Sequence, residues 1–259
     1  MATVHRYPNG TFCWTELAAA DATAASLFYT ELFGWEATPL PLGPNATYHM
    51  LYQDGRSVAA LYQAGPGEES EHWKSFVAVD DVEAAARVAE GAGGVVIAQP
   101  FDVQDAGRMA ILRDASGADL ALWQGRAHIG AGRFGEPGAP CWFELATRDT
   151  EAAANFVQEV FGWESEVAPM GRTTYTTFTR KGEPVGGMLQ MTDEWGEVRP
   201  HWMVYFQVDK IAATMRRAKE LGGTVLYGPL EASGLGKFAI FRDPQGVTFS
   251  AIELYDAAA

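Results

Sequence analysis

The stretch ELFGWE at residues 31–36 returns as EVFGWE at residues 159–164. Locally it spells the end of a helix and the start of a strand. Phe33 closes an amphipathic helix, Gly34 takes the left-handed conformation that stops it, and Trp35 begins the next extended run. Written twice in one chain, it marks a duplicated unit.

The duplication widens on both sides. CWTELAAADATAASLFYTELFGWE (13–36) and CWFELATRDTEAAANFVQEVFGWE (141–164) agree at fourteen of twenty-four positions, at a shift of 128 residues. HWKSFVAVDDVEAAARVAEGAGGVV (72–96) matches HWMVYFQVDKIAATMRRAKELGGTV (201–225) at a shift of 129. GRMAILRDASGADLALWQ (107–124) matches GKFAIFRDPQGVTFSAIE (236–253) at the same shift. The Gly- and Pro-rich segment between the copies reads as a linker, which divides the chain into domains 1–125 and 140–259 joined by 126–139. A fainter repeat lies inside the first half, where AAADATAA (18–25) resembles AVDDVEAA (78–85). Each has a strand-like run, an Asp suited to cap a helix, and an alanine-rich helix. The chain therefore reads as four related units, two per half.

Each unit is β-α-β-β-β. In the first, strand 12–19 leads to a helix at 22–33 capped by Asp21, then to strands near 35–40, 46–53 and 57–63, with Asp54-Gly55 as a hairpin turn. In the second, strand 73–79 leads to a helix at 82–91 capped by Asp81, then to strands near 95–100, 108–113 and 118–124. The second half repeats this plan with Lys181-Gly182 at the hairpin. The fold class is α+β.

The composition, 47% hydrophobic and 20% charged, supplies a core for each half. The formal charge of −14 excludes a nucleic-acid or anionic-membrane binder, since both require a basic surface. No apolar run approaches the length of a bilayer span, and the opening residues show no secretory pattern, so a cytoplasmic chain is expected. Cys13 and Cys141 occupy equivalent places and are expected to be buried and unpaired.

Paired β-α-β-β-β units carrying AADATAASLFYTELFGWE, FVAVDDVEAAARVAEGAGG and GRMAILRDASGADL resemble the vicinal oxygen chelate superfamily, which includes glyoxalase I, bleomycin-resistance proteins and extradiol dioxygenases. The details look closest to its two-domain glyoxalase-like branch in actinobacteria, often labelled hydroxylases. The resemblance implies two tandem half-open barrels, each curled around a cleft. It also implies where a divalent ion would be held: one ligand on each unit's first strand, seven residues before the capping Asp, and one on each last strand. Those first-strand positions are Trp14, Lys74, Trp142 and Met203, and the last-strand positions are Ala121 and Ser250. None is an ordinary metal ligand at neutral pH, so no metal and no other cofactor is expected. The alternative is a shifted ion held by a His and a Glu on each inner face, a weak set where three ligands are customary.

Strand alternation puts Trp14, Glu16 and Ala18 on one face, and His72, Lys74 and Phe76 on one face. The second half offers Trp142, Glu144 and Ala146, with His201, Met203 and Tyr205. Trp14, Phe76 and Trp123 are expected to wall the first cleft, and Trp142 and Tyr205 the second, a lining suited to a planar organic molecule. His72, Lys74 and His201 are further ligand-binding candidates. Glu16 and Glu144 sit mid-strand among apolar residues. Each either meets a partner, such as Lys74, or has a raised pKa and serves as acid or base. Arg108 and Lys237, each after a glycine at a strand start, either serve as solvent-facing support, the favoured reading, or meet an acidic ligand at a cleft mouth.

The leading expectation is a metal-independent binder of an aromatic small molecule, in a binding, resistance or biosynthetic role. The alternatives are a lyase, isomerase or hydroxylase using Glu16 or Glu144 as base, and a scaffold protein with filled clefts. A monomer and a homodimer are both compatible, because the duplication supplies both halves in one chain.

Overall fold

The computed structural model describes residues 6–43, 46–68, 72–171, 173–232 and 234–255. Each half is one eight-stranded sheet with two helices. In the first half the strands are β1 (Thr11–Ala19), β2 (Glu36–Gly43), β3 (Ala46–Gln53), β4 (Arg56–Gln63), β5 (Lys74–Ala78), β6 (Val95–Val103), β7 (Gly107–Arg113) and β8 (Asp119–Gly125), with helices α1 (Ala22–Phe33) and α2 (Val82–Gly91). The second half has β9 (Pro140–Thr147), β10 (Glu164–Met170), β11 (Thr173–Arg180), β12 (Glu183–Gln190), β13 (His201–Gln207), β14 (Thr224–Glu231), β15 (Gly236–Arg242) and β16 (Thr248–Leu254). Its helices are α3 (Thr150–Phe161) and α4 (Ile211–Glu220).

The sheet order is β2-β3-β4-β1-β5-β8-β7-β6, and the second half repeats it as β10-β11-β12-β9-β13-β16-β15-β14. Within a unit the fourth strand returns parallel to the first. The two units then join through their first strands, β1 antiparallel to β5. Free edges at β2 and β6 leave each barrel half open, as expected. Asp21, Asp81 and Asp149 cap their helices by accepting backbone N–H groups of Ala24, Ala84 and Ala152. Lys210 stands at the fourth cap, where its side chain makes no capping bond and instead donates to Glu253. Gly34 and Gly162 end α1 and α3 at φ +73° and +68°, the conformation that glycine adopts without a Cβ clash.

Alternation along β1 and β9 separates two environments. Trp14, Glu16 and Ala18 face the cleft, while Leu17 and Ala19, with Leu61, Val77 and Leu122, face the helices. The helix-side core is not divided at residue 126. It is one buried cluster running through both halves, in which α1 packs on α4 and α2 on α3. Phe12 stacks on Phe143 with ring centroids 4.2 Å apart, and Trp73 and Trp202 are fully buried within it.

The repeated tryptophan acquires its reason here. Trp35 donates its indole N–H to the Gly138 carbonyl at 2.7 Å, and Trp163 donates to the Gly10 carbonyl at 2.7 Å. Gly10 precedes β1 and Gly138 precedes β9, so each half's indole latches the entry to the other half's first strand. One side carries additional bonds: Tyr29 donates to Asp243 at 3.1 Å and Gln245 brackets the Asp21 backbone.

The linker 126–139 is not a free tether. After β8 it folds back over one end of the first cleft, where Ala131 N–H bonds Cys13 O, Gly132 N–H bonds Ser57 O, and Tyr7 donates to Ala131 O. Both cysteines are free thiols, and each Sγ donates to a backbone carbonyl, Phe76 O or Tyr205 O. Among the described residues no helix is long and apolar enough to cross a membrane.

Candidate functional site

Each concave face carries the same relay. In the first cleft Trp14 Nε1 donates to Tyr48 Oη at 3.1 Å, and Tyr48 donates to Glu16 Oε2 at 2.7 Å. In the second, Trp142 Nε1 donates to Tyr175 Oη at 3.0 Å, and Tyr175 bonds Glu144. Tyr48 and Tyr175 come from the third strands, β3 and β11, two places removed from the glutamate's strand in the sheet. Gly187 lies directly beside Glu144 in the β12–β9 register, and a Cβ there would stand 2.0 Å from the Tyr175 hydroxyl. The Tyr175 hydroxyl thus occupies the space a side chain at Gly187 would fill, whereas the first half seats Ala60 at the equivalent place.

The two clefts differ at the cross-strand partner of the glutamate. Opposite Glu16 is Lys74, whose Nζ lies 3.6 Å from Glu16 Oε1 and donates to Tyr62 Oη at 3.1 Å; Tyr62 in turn donates to Glu68. Opposite Glu144 is Met203. Two strand positions on, Phe76 of the first cleft is replaced by Tyr205, which donates to Glu144 Oε1 at 2.9 Å. Burial raises the Glu144 carboxyl above the usual carboxylate range, the two phenol hydrogen bonds oppose that rise, and among the described residues no cation assists them. Among the described residues Glu16 thus has a neighbouring cation, whereas Glu144 has phenol donors only.

The clefts also differ in access. Trp14, Phe76, Trp123, Met109 and Met50 are buried together, with Trp14 only 3% exposed. The linker supplies the cover: the His128 ring meets Trp14 edge-on at 4.6 Å, and its carbonyl accepts the Trp123 indole N–H at 2.9 Å. In the second half the chain supplies no equivalent cover among the described residues. Trp142, Glu144, Tyr175, Phe238 and Ile240 are half-buried around Met203, Tyr205 and Ile252.

The remaining candidates lie as follows. Alternation assigns His72 and His201 to separate clefts, yet their rings stack on each other with centroids 3.9 Å apart. His72 lies before β5 and bridges to Thr248 of β16, so the two halves meet at that point. Arg108 does not await an acidic ligand, being paired with Asp102 and Glu83, and Lys237 lies 3.9 Å from Glu231.

The histidines carry a pH prediction. Burial, then the neighbouring His201 ring, lowers His72 to about 3, and burial lowers His128 to about 4. The unfolded chain, with His near 6.5, binds more protons than the folded chain below that pH. Stability is therefore present in full above about pH 6.5 and is lost as pH falls through it. The raised carboxyls Asp114, Asp243 and Glu144 act in the opposite direction lower down. The thermal midpoint is expected to fall between pH 7 and about 5, less steeply in His72→Gln. An identical slope in that variant would remove His72 from the account.

The donor set does not fit a divalent ion. The first- and last-strand positions carry Trp14, Lys74, Trp142, Met203, Ala121 and Ser250. Among the described residues no three His, Cys, Asp or Glu side chains converge, and each cleft offers a lone glutamate.

Residues 141–251 match the family model of the glyoxalase/bleomycin resistance protein/dioxygenase superfamily, and residues 14–123 match that of the glyoxalase-like domain. The chain belongs to this superfamily, as a tandem pair of glyoxalase-like domains. It is 36% identical to the "Putative glyoxylase CFP32" of Mycobacterium tuberculosis, over 95% of this chain and 96% of that one. It is also 36% identical to the anthracycline biosynthesis protein DnrV of Streptomyces peucetius, over 98% of each. Among solved structures, the Mn(II)-bound glyoxalase from Novosphingobium aromaticivorans shares the fold, with a TM-score of 0.67, 18% identity, and coverage of 95% of this chain and 83% of that one.

Proposed function

We propose that this chain binds a planar aromatic metabolite in its second cleft, without help from a divalent ion, in a biosynthetic or resistance role. The observation that carries the reading is the difference between two equivalent indoles: Trp14 is sealed beneath the linker, while Trp142 stands half-buried beside Glu144, Tyr175 and Tyr205. A flat ring system stacks on such a wall, and the phenols and carboxyl orient its polar groups. The anthracycline biosynthesis proteins among the relatives support the ligand class, since anthracyclines are fused-ring aromatics.

The test is a titration of tryptophan fluorescence with fused-ring aromatics. Saturable quenching at one ligand per chain is expected, with most of the change lost in Trp142→Phe. No quenching across the panel, or quenching that Trp142→Phe leaves intact, contradicts the proposal.

A second reading, acid–base catalysis by Glu144, is favoured by its raised carboxyl. Glu144→Gln is then expected to keep ligand binding and abolish turnover of the bound molecule.

A further inference from the structure

The two halves present one site in two states, and the first half shows what completes it. At equivalent places in the same sheet register stand a glutamate, a tryptophan and a tyrosine: Glu16, Trp14 and Tyr48, against Glu144, Trp142 and Tyr175. The first half closes this arrangement with the Lys74 ammonium, 3.6 Å from the carboxylate. The second half puts the Met203 thioether directly across from its carboxylate, leaving no side-chain cation among the described residues to balance it.

We infer that the ligand of the second cleft is an aromatic ring system bearing an alkylamine, whose ammonium group takes the place opposite Glu144 that Lys74 fills opposite Glu16. This rests on the reading of the second cleft as an aromatic-binding site and adds the charge of what binds there. Tyr205 and Tyr175 supply hydrogen bonds to Glu144 but no charge, so they orient the carboxyl without neutralising it. A carboxylate set among Trp142, Tyr175 and Tyr205 has the composition of an ammonium-binding cage, in which ring faces and a single anion replace water around the cation. The formal charge of −14 draws a cation toward the protein and repels a carboxylate ligand.

The experiment uses the full chain and anthracene bearing one of three substituents: aminomethyl, hydroxymethyl or carboxylate. Binding is read from tryptophan fluorescence, with Trp142→Phe marking the site. The aminomethyl compound is expected to bind about tenfold more tightly than the hydroxymethyl compound, and the carboxylate least of all. Met203→Lys brings in the protein's own ammonium, and Glu144→Gln removes the anion at nearly constant shape. Both are expected to erase the preference for the amine, bringing the aminomethyl and hydroxymethyl compounds to about equal affinity.

Equal binding of amine and alcohol at the Trp142 site overturns the inference while preserving the aromatic-binding reading. So does an amine preference that survives in both variants. Failure of all three compounds to bind overturns the aromatic-binding reading and the inference with it.

Discussion

Replacing Trp163 with alanine is expected to cost about 3–5 kcal/mol, the range for deleting a large buried aromatic side chain. The midpoint of unfolding should fall on the order of 10 °C for a chain of this size. Trp163 is completely buried, touching Phe161, Phe178, Phe12 and Trp202. Its N–H also satisfies the Gly10 carbonyl. Trp163→Phe separates these contributions: it keeps most of the packing, deprives Gly10 O of its donor, and should cost about 1–2 kcal/mol. Because the core runs unbroken through both halves, calorimetry of either variant should show one transition, shifted as a whole. Two resolved transitions, with only the second half affected, would show that the halves are stabilised separately.

Lys74→Met gives the first cleft the residue found at the matching place in the second. It strands the Glu16 carboxylate, only 8% exposed, with Tyr48 as its remaining donor. Removing one member of a buried pair costs more than the pair contributes, because the survivor keeps its desolvation penalty. With some solvent access at Lys74, a loss of about 1–3 kcal/mol is expected. Adding Glu16→Gln should restore much of it, and a double-mutant cycle measures the coupling. If Lys74→Met is as stable as the parent, Glu16 is not held by that ammonium, and the contrast drawn between the clefts fails with it.

The fold was legible because it is written four times. Capping aspartates, glycine stops and the hairpin pairs Asp54-Gly55 and Lys181-Gly182 all recur at matched places, and the positive φ of Asp54 and Lys181 shows those turns formed. The near half of each site was legible too, since Trp14 and Glu16, like Trp142 and Glu144, lie two apart on one strand. Tyr48 and Tyr175 were not found, because they reach the glutamates from strands that sheet order alone brings near. Their signal was present in the matched Thr-Tyr of ATYHM and TTYTT. His128 was overlooked inside a glycine-rich segment read only as a spacer. The His72–His201 stack was beyond period-two reasoning, which describes one sheet face and not a junction between halves.

The two indole latches are interchangeable between molecules. During refolding, the first half of one chain could seat its Trp35 on the strand entry of another chain's second half and make the same indole bond. What keeps the exchange within one molecule is the short span from Gly125 to Pro140, which holds the two partners at an effective concentration on the order of millimolar. Dilute refolding is therefore expected to return single chains and concentrated refolding to yield some swapped pairs, with a longer span shifting the balance further toward exchange.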